Sequence, residues 1–193
     1  MNKIAELFKS ITIFEIVLTT VVASALGVSF WGWTFVYEIL KPVLKLSGLS
    51  YLVAGFWIFS SIFLSQIIRK PGIAIIASIL AAFVESLLTQ WGIMSVMWGI
   101  VQGFGAEIIF MLFLYRKWDL KVLILASISS ASCSYLLDYY LYNYKNLSLE
   151  FNSIQFFSFV LSSIFFAGYL SDKFSKRLLK LGLLDQFLIA KNQ

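Results

Sequence analysis

Six apolar stretches, at about 11–30, 52–68, 73–88, 93–114, 121–142 and 154–171, follow one another with only short connections between them. Each is long enough, or nearly so, to cross about 30 Å of hydrocarbon as a helix. Lipid cannot satisfy free backbone amides, which leaves the helix as the available spanning form for such runs. The pattern predicts an all-α integral membrane protein of six transmembrane helices. In 193 residues there is room for one membrane domain, 1–193, and little else. Charged residues are 13% of the chain, against roughly a quarter in a soluble domain. The first ten residues read as a short interfacial lead-in, and no small-residue cleavage site follows the first apolar run, so no cleaved signal is expected.

The links carry the orientation. Arg69-Lys70-Pro71-Gly72 separates spans two and three, Arg116, Lys117 and Lys121 separate spans four and five, and the tail carries Lys173, Lys176, Arg177, Lys180 and Lys191. With Lys3 and Lys9 these make 12 basic residues on one side, against Lys41, Lys45 and Lys145, three, on the other. Basic residues accumulate on the cytoplasmic side of membrane proteins, so both termini are expected in the cytoplasm. That placement also accounts for the formal charge of +5 without a nucleic-acid partner. In the tail, 173–190, Phe174, Leu178, Leu181 and Leu188 alternate with basic residues, which predicts an amphipathic helix on the inner leaflet or against a partner.

Carboxylates inside a membrane span cost roughly 2.5–3.5 kcal/mol each on insertion scales and therefore call for a reason. Glu85 lies near the outer end of span three, with the small residues Ser78, Ala81 and Ala82 around it, a face suited to protein contact or a cavity. Tyr135, Asp138, Tyr139 and Tyr142 share one face of span five. A tyrosine belt at the interface would explain the phenols alone; the acid among them points to a pocket wall. In span four, Gly99 and Gly103 make a face for close helix contact. Trp98 and Gln102, one turn apart, share a neighbouring face that is assigned to the pocket. Glu107, about 140° around the helix from Gln102, is assigned to an interhelical hydrogen bond.

Aromatic residues gather at the outer side as well: Trp31, Trp33 and Tyr37 after span one, with Glu38 beside them, and Gln90-Trp91-Gly92 between spans three and four. Acids with aromatic faces are the surroundings that a flat organic cation calls for. The chain has no histidine, which removes the commonest metal ligand and proton shuttle, and neither a metal nor a cofactor is expected. Cys133 is alone, excludes an intramolecular disulfide, and reads as a small packing residue. No G-x-x-x-x-G-K-[ST] run or H-E-x-x-H occurs, so nothing here argues for an enzyme.

Trp31-Gly32-Trp33 with Tyr37 and Lys41-Pro42, then Arg69-Lys70-Pro71-Gly72, Glu85, Gln90-Trp91-Gly92 and Gln102-Gly103-Phe104-Gly105-Ala106-Glu107, occur in this order. Over residues 25 to 145 the set resembles the YkoE-type substrate-binding (S) components of energy-coupling-factor (ECF) importers. The resemblance implies a six-helix S component of the bacterial cell membrane that captures thiamine, or its hydroxymethylpyrimidine precursor, from outside. A transmembrane coupling protein and two cytoplasmic ATPases would supply the drive, which fits the missing P-loop. S components of this kind dock through small residues of the first helix, here Ala23 with Gly27 and Ala25 with Ser29. Within the implied site, Glu85 and Asp138 supply negative potential for the thiazolium, Trp33, Trp98, Tyr135 and Tyr139 stack on the rings, Gln102 reads the pyrimidine edge, and a 31–50 loop closes over the ligand. The alternatives are a stand-alone proton-coupled transporter of organic cations, and a membrane scaffold or sensor without a ligand.

Overall fold

The computed structural model describes residues 11–191, so the lead-in with Lys3 and Lys9 lies outside the described residues. The elements in chain order are α1 (Ile13–Leu46), a 3-10 segment (Ser50–Ile58) running straight into α2 (Phe59–Ile68), α3 (Ile73–Ser86), α4 (Met94–Leu112) and α5 (Leu120–Leu141). A 3-10 turn (Tyr144–Asn146), α6 (Leu149–Ser163), a π-helical stretch (Ile164–Tyr169), α7 (Leu170–Lys180) and the one-turn α8 (Leu188–Lys191) complete them. No strand occurs among the described residues. Five segments are long and apolar enough to cross a membrane: α1, Ser50–Ile68, α4, α5 and the continuous Leu149–Lys180. The sixth, α3, has 14 residues.

Composition accounts for the lengths. α1 runs 34 residues without a stop, about 51 Å, and overshoots the expected span of 11–30. The loop expected over 31–50 is therefore helix as far as Leu46, and the chain turns only at Gly48 (φ 74°). Gly32 faces open space, so it costs the helix only about 1 kcal/mol. Pro42 lies in the closing turns, where few helical bonds remain to be lost. The second span is unusual in starting as nine 3-10 residues. At about 2.0 Å per residue there and 1.5 Å in α2, its 19 residues cover about 33 Å, enough to cross.

One end of the bundle is tied by buried polar contacts. Thr12 and Glu15 form a capping box at the start of α1, and Glu15 Oε2 also pairs with Lys70 Nζ at 2.6 Å. The Arg69–Gly72 turn has two left-handed residues, Arg69 (φ 58°) and Gly72 (φ 85°). Glu107 of α4 reaches across to it and accepts hydrogen bonds from the Gly72 N–H (2.6 Å), the Ala74 N–H (3.1 Å) and the Tyr115 hydroxyl (2.6 Å). A carboxylate at the open N–H groups of a helix start meets both their hydrogen-bonding need and the helix dipole. Glu107→Gln turns an N–H₂ toward these donors and is expected to lower stability by about 1–2 kcal/mol, seen as a fall in melting temperature of the detergent-purified protein. Unchanged melting would remove this role.

The amphipathic helix expected over 173–190 is present as far as Lys180 and does not continue beyond it as a surface helix. Residues up to Lys180 prolong the last membrane helix, which begins at Leu149, held by Ser175 Oγ donating to Gln66 Oε1 (2.6 Å) and Gln66 Nε2 donating to Asp172 Oδ1 (3.4 Å). After a turn at Gly182 (φ 73°), Leu184, Phe187 and Ile189 fold back into the core formed with α1 and α2. Phe187 stacks on Phe14, ring centroids 5.4 Å apart. Phe174 and Leu181 are exposed, and the Leu188 side chain lies outside the described residues.

Small residues set the helix spacing. A Cβ on Gly99 would lie 2.6 Å from Ala82 Cβ, and one on Gly103 2.7 Å from Ile75 Cα, so α3 and α4 meet nearly backbone to backbone. Gly105 packs in the same way on Ser130 of α5. The Gly99 contact with Ala82 lies in the wall of a cavity, since all of Ser78, Ala82 and Gly99 line it.

Candidate ligand cavity

At the end of the bundle away from the Arg69 turn lies a cavity of about 1070 Å³. Its walls come from Phe30 and the last turns of α1, the 3-10 segment, α3, α4, the end of α5, the 142–147 connection and the first turns of α6. On α4, Ser95, Trp98, Gly99 and Gln102 line it; their i, i+3, i+4, i+7 spacing makes one helical face. On α3 the lining residues are Ser78, Ala82 and Glu85. Small side chains there leave the space, and larger ones a turn away would fill it.

The 3-10 segment is decisive for this geometry. Tyr51, Ala54 and Trp57 all line the cavity. Three residues make one 3-10 turn, so i, i+3 and i+6 eclipse; wound as an α-helix, Tyr51 and Trp57 would diverge by about 120°. On the shared face each reaches a different carboxylate. Tyr51 donates its hydroxyl to Asp138 Oδ2 at 2.8 Å, and Trp57 donates its indole N–H to Glu85 Oε1 at 2.6 Å. A second indole, Trp98, donates to Asp138 Oδ1 at 2.6 Å. Glu85 and Asp138 are 3% and 5% exposed, so both are buried carboxylates, each held by neutral donors and neither in an ion pair among the described residues. Neutral donors orient a buried carboxylate and leave its charge uncompensated, which makes it available to a cation.

Aromatic rings complete the walls. Tyr37, Trp57 and Trp91 form an edge-to-face cluster, with centroids 5.6 Å (Tyr37–Trp57), 6.1 Å (Tyr37–Trp91) and 5.6 Å (Trp57–Trp91) apart. Trp98 lies nearly parallel to Tyr142, interplanar angle 18°. The Tyr144 hydroxyl lies 3.2 Å from that of Tyr51; burial pushes the Tyr144 phenol above its ordinary value, so it stays neutral and able to donate. Deeper in, Gln102 Nε2 donates to Ser134 Oγ at 3.3 Å.

Of the residues expected at the site, Tyr37, Glu85, Trp91, Trp98, Gln102 and Asp138 line the cavity. Six others do not. Trp31 is on the outer face of α1 against Phe35. The Trp33 indole donates to the Val53 carbonyl at 2.8 Å and packs on Phe56 and Phe166, so its ring is spent on helix packing. Glu38 pairs with Lys41 at 3.2 Å and accepts from Gln90 at 3.2 Å, both at the surface. Tyr135 points between α5 and α6, donating to Asn152, and Tyr139 packs in the neighbouring core beside Tyr140. The three phenols and the acid read as one face are thus split, because 100° per residue carries Tyr135 and Tyr139 past the cavity edge. Tyr51, Trp57 and Tyr144 went unread: Trp57 sits in an apolar run, and no α-helical period couples it to Tyr51. Of the small pairs on α1, Ala23 and Gly27 are buried, with Gly27 against Ala81 and Val84 of α3, whereas Ala25 and Ser29 are exposed.

The comparisons with known proteins all place this architecture among transporter components. Residues 14–133 match the family model described as the permease component of an ABC-type cobalt transport system. The HMP/thiamine permease protein YkoE of Bacillus subtilis (strain 168) is 31% identical over 185 residues, covering 95% of this chain and 92% of that protein. A crystal structure of an S-component of an ECF transporter, 30% identical, superposes with a TM-score of 0.89 over 94% of this chain and 92% of the other. Apolar helices and these relatives together make the chain a multi-pass membrane protein and a transporter subunit rather than a catalyst. Its sequence and its fold both assign it to the YkoE-type S components of energy-coupling-factor transporters.

Proposed function

We propose that this chain is the substrate-specificity subunit of an ATP-driven vitamin importer and that its cavity binds thiamine, with the hydroxymethylpyrimidine as a weaker ligand. The observation that carries the reading is the pair of buried carboxylates, Glu85 and Asp138, oriented by indole and phenol donors and facing one aromatic cavity. A thiazolium ring carries a fixed charge and a π face; the first is attracted by the carboxylates in a poorly screened interior, the second by the rings of Trp57, Trp91 and Trp98. Gln102, deep in the cavity, has the amide needed to read an aminopyrimidine edge. Divalent metal ions call for a different donor set: the chain has no histidine, and no group of three His, Cys, Asp or Glu able to hold a metal exists among the described residues.

In this reading the cavity opens to the cell exterior, as the 12-to-three distribution of basic residues requires, and both termini are cytoplasmic. The whole chain, 1–193, acts as one domain of the bacterial cytoplasmic membrane. A transmembrane coupling protein docks on the exposed small residues Ala25 and Ser29 of α1, and two ATPases bound to it hydrolyse ATP. The test is a calorimetric titration of the detergent-purified protein. A single saturable site for thiamine is expected, with the neutral pyrimidine held much more weakly, for want of both the charge and the second ring. Absence of saturable thiamine binding would overturn the proposal and favour a scaffold or sensor without a ligand.

A further inference from the structure

The cavity has two electrical poles. Its inner part holds Glu85 and Asp138, and its mouth holds Lys41, Lys45, Asn143 and Asn146. The distance between the poles can be read along α1. Tyr37, whose ring packs at 5.6 Å on the Trp57 that clasps Glu85, is followed on the same face by Lys41 and Lys45. At 1.5 Å per residue the lysine backbones stand about 6 and 12 Å farther along the axis; the Lys41 ammonium turns back to 5.2 Å from the Tyr37 ring centroid, which leaves Lys45 as the outer charge. Three basic residues occur at this end of the chain, Lys41, Lys45 and Lys145, and two of them line the cavity. Lys41 is partly compensated by Glu38 at 3.2 Å; Lys45 makes no ion pair among the described residues. A lysine in the last turn of a helix is favoured by the dipole, but that leaves unexplained why two successive turns direct cations at the entrance of a site built for a cation. Such a mouth opposes a simple cation and suits a ligand with a negative end.

We infer that the mouth is a subsite for a phosphate monoester, so that the cavity prefers a zwitterionic ligand: an organic cation seated between Glu85 and Asp138, with a phosphorylated side chain reaching Lys45 and Lys41. The asparagine amides at 143 and 146 add donors to the same subsite. This rests on the organic-cation reading above and extends it to the substrate's charged tail.

The experiment compares thiamine with thiamine monophosphate by calorimetry on wild-type protein, Lys45→Ala and Lys45→Glu. Lys45 is exposed, and melting curves check that the variants stay folded. The monophosphate is expected to bind wild-type protein about tenfold tighter than thiamine, from charge-assisted contacts at the mouth. Lys45→Ala then weakens the monophosphate while tightening thiamine, because the same charge attracts one ligand and repels the other; Lys45→Glu exaggerates both. Opposite signs are the diagnostic, since a merely structural effect moves both ligands together. A wild-type protein that binds the monophosphate no better than thiamine, or a variant that shifts both ligands in one direction, overturns the subsite and leaves the thiamine reading intact. Failure of both ligands to bind wild-type protein removes the reading and the subsite together.

Discussion

Replacing Glu85 and Asp138 together by their amides, Glu85→Gln with Asp138→Asn, is expected to weaken thiamine binding by roughly a thousandfold, about 4 kcal/mol from two charges worth some 2 kcal/mol each in a desolvated site. The substitutions test charge rather than architecture. Each amide keeps a carbonyl oxygen that can go on accepting the indole N–H now donated at 2.6 Å by Trp57 or Trp98. The Tyr51 hydroxyl, now donating to Asp138, can turn to accept from the new N–H₂. The fold should therefore survive with its melting temperature little changed while affinity collapses. Single variants should lose about thirtyfold each. A double variant that binds within threefold of wild type would show that the carboxylates are structural.

Gly55→Val is the second large effect, and it acts on the scaffold. A Cβ at this position would run into the backbone of Ser162 and Ser163 where α6 passes into its π-helical stretch. The approach is close because the Gly55 N–H donates to Ser162 Oγ at 2.9 Å. Backbone atoms cannot step aside as a flexible side chain can, so the cost is set at about 3 kcal/mol or more. The displaced element is the 3-10 segment that carries Tyr51 and Trp57, so thiamine affinity should fall along with the melting temperature. Gly32→Ala is the control: nothing lies within 4 Å of the added atom, and a mid-helix Gly→Ala change should stabilise α1 by about 0.5–1 kcal/mol. Gly55→Val melting like wild type would contradict the close contact.

These residues also mark how far sequence reasoning reaches in such a chain. The six spans were legible because lipid enforces length and polarity on each of them. Glu85 and Asp138 were legible for the complementary reason, since a carboxylate in an apolar run is costly wherever it stands. Trp98 with Gln102, and Gly99 with Gly103, follow from helical spacing on a single element, which is local information. What local information lacks is winding and partner choice. Tyr51 and Trp57 converge only because residues 50–58 wind as a 3-10 helix, and an apolar run looks the same in either winding. Trp33 has the composition of a site residue, yet its indole is taken by the Val53 carbonyl 20 positions away. The expected 31–50 lid failed because α1 meets no effective stop before Gly48, and the tail returned to the core because Leu184, Phe187 and Ile189 found apolar partners on α1 and α2.

The arrangement also explains how the acids are tolerated inside the bundle. Each is held by strong donors that orient the carboxylate without neutralising it, at the expense of burying a charge that a cationic guest can later offset. The Glu15–Lys70 pair at the other end of the bundle has its counter-ion built in. A built-in counter-ion makes a structural tie; donors without one leave the field open to a ligand.

The central claim is that these two carboxylates are kept for a positive charge on the guest. Its most direct measurement is the affinity of thiamine against that of its neutral thiophene analogue, which has the same shape without the charge, in wild-type protein and in the double amide variant. The account predicts that wild-type protein prefers the cation by about a thousandfold and that the preference disappears in the variant. Equal affinity of the two ligands for wild-type protein would contradict it.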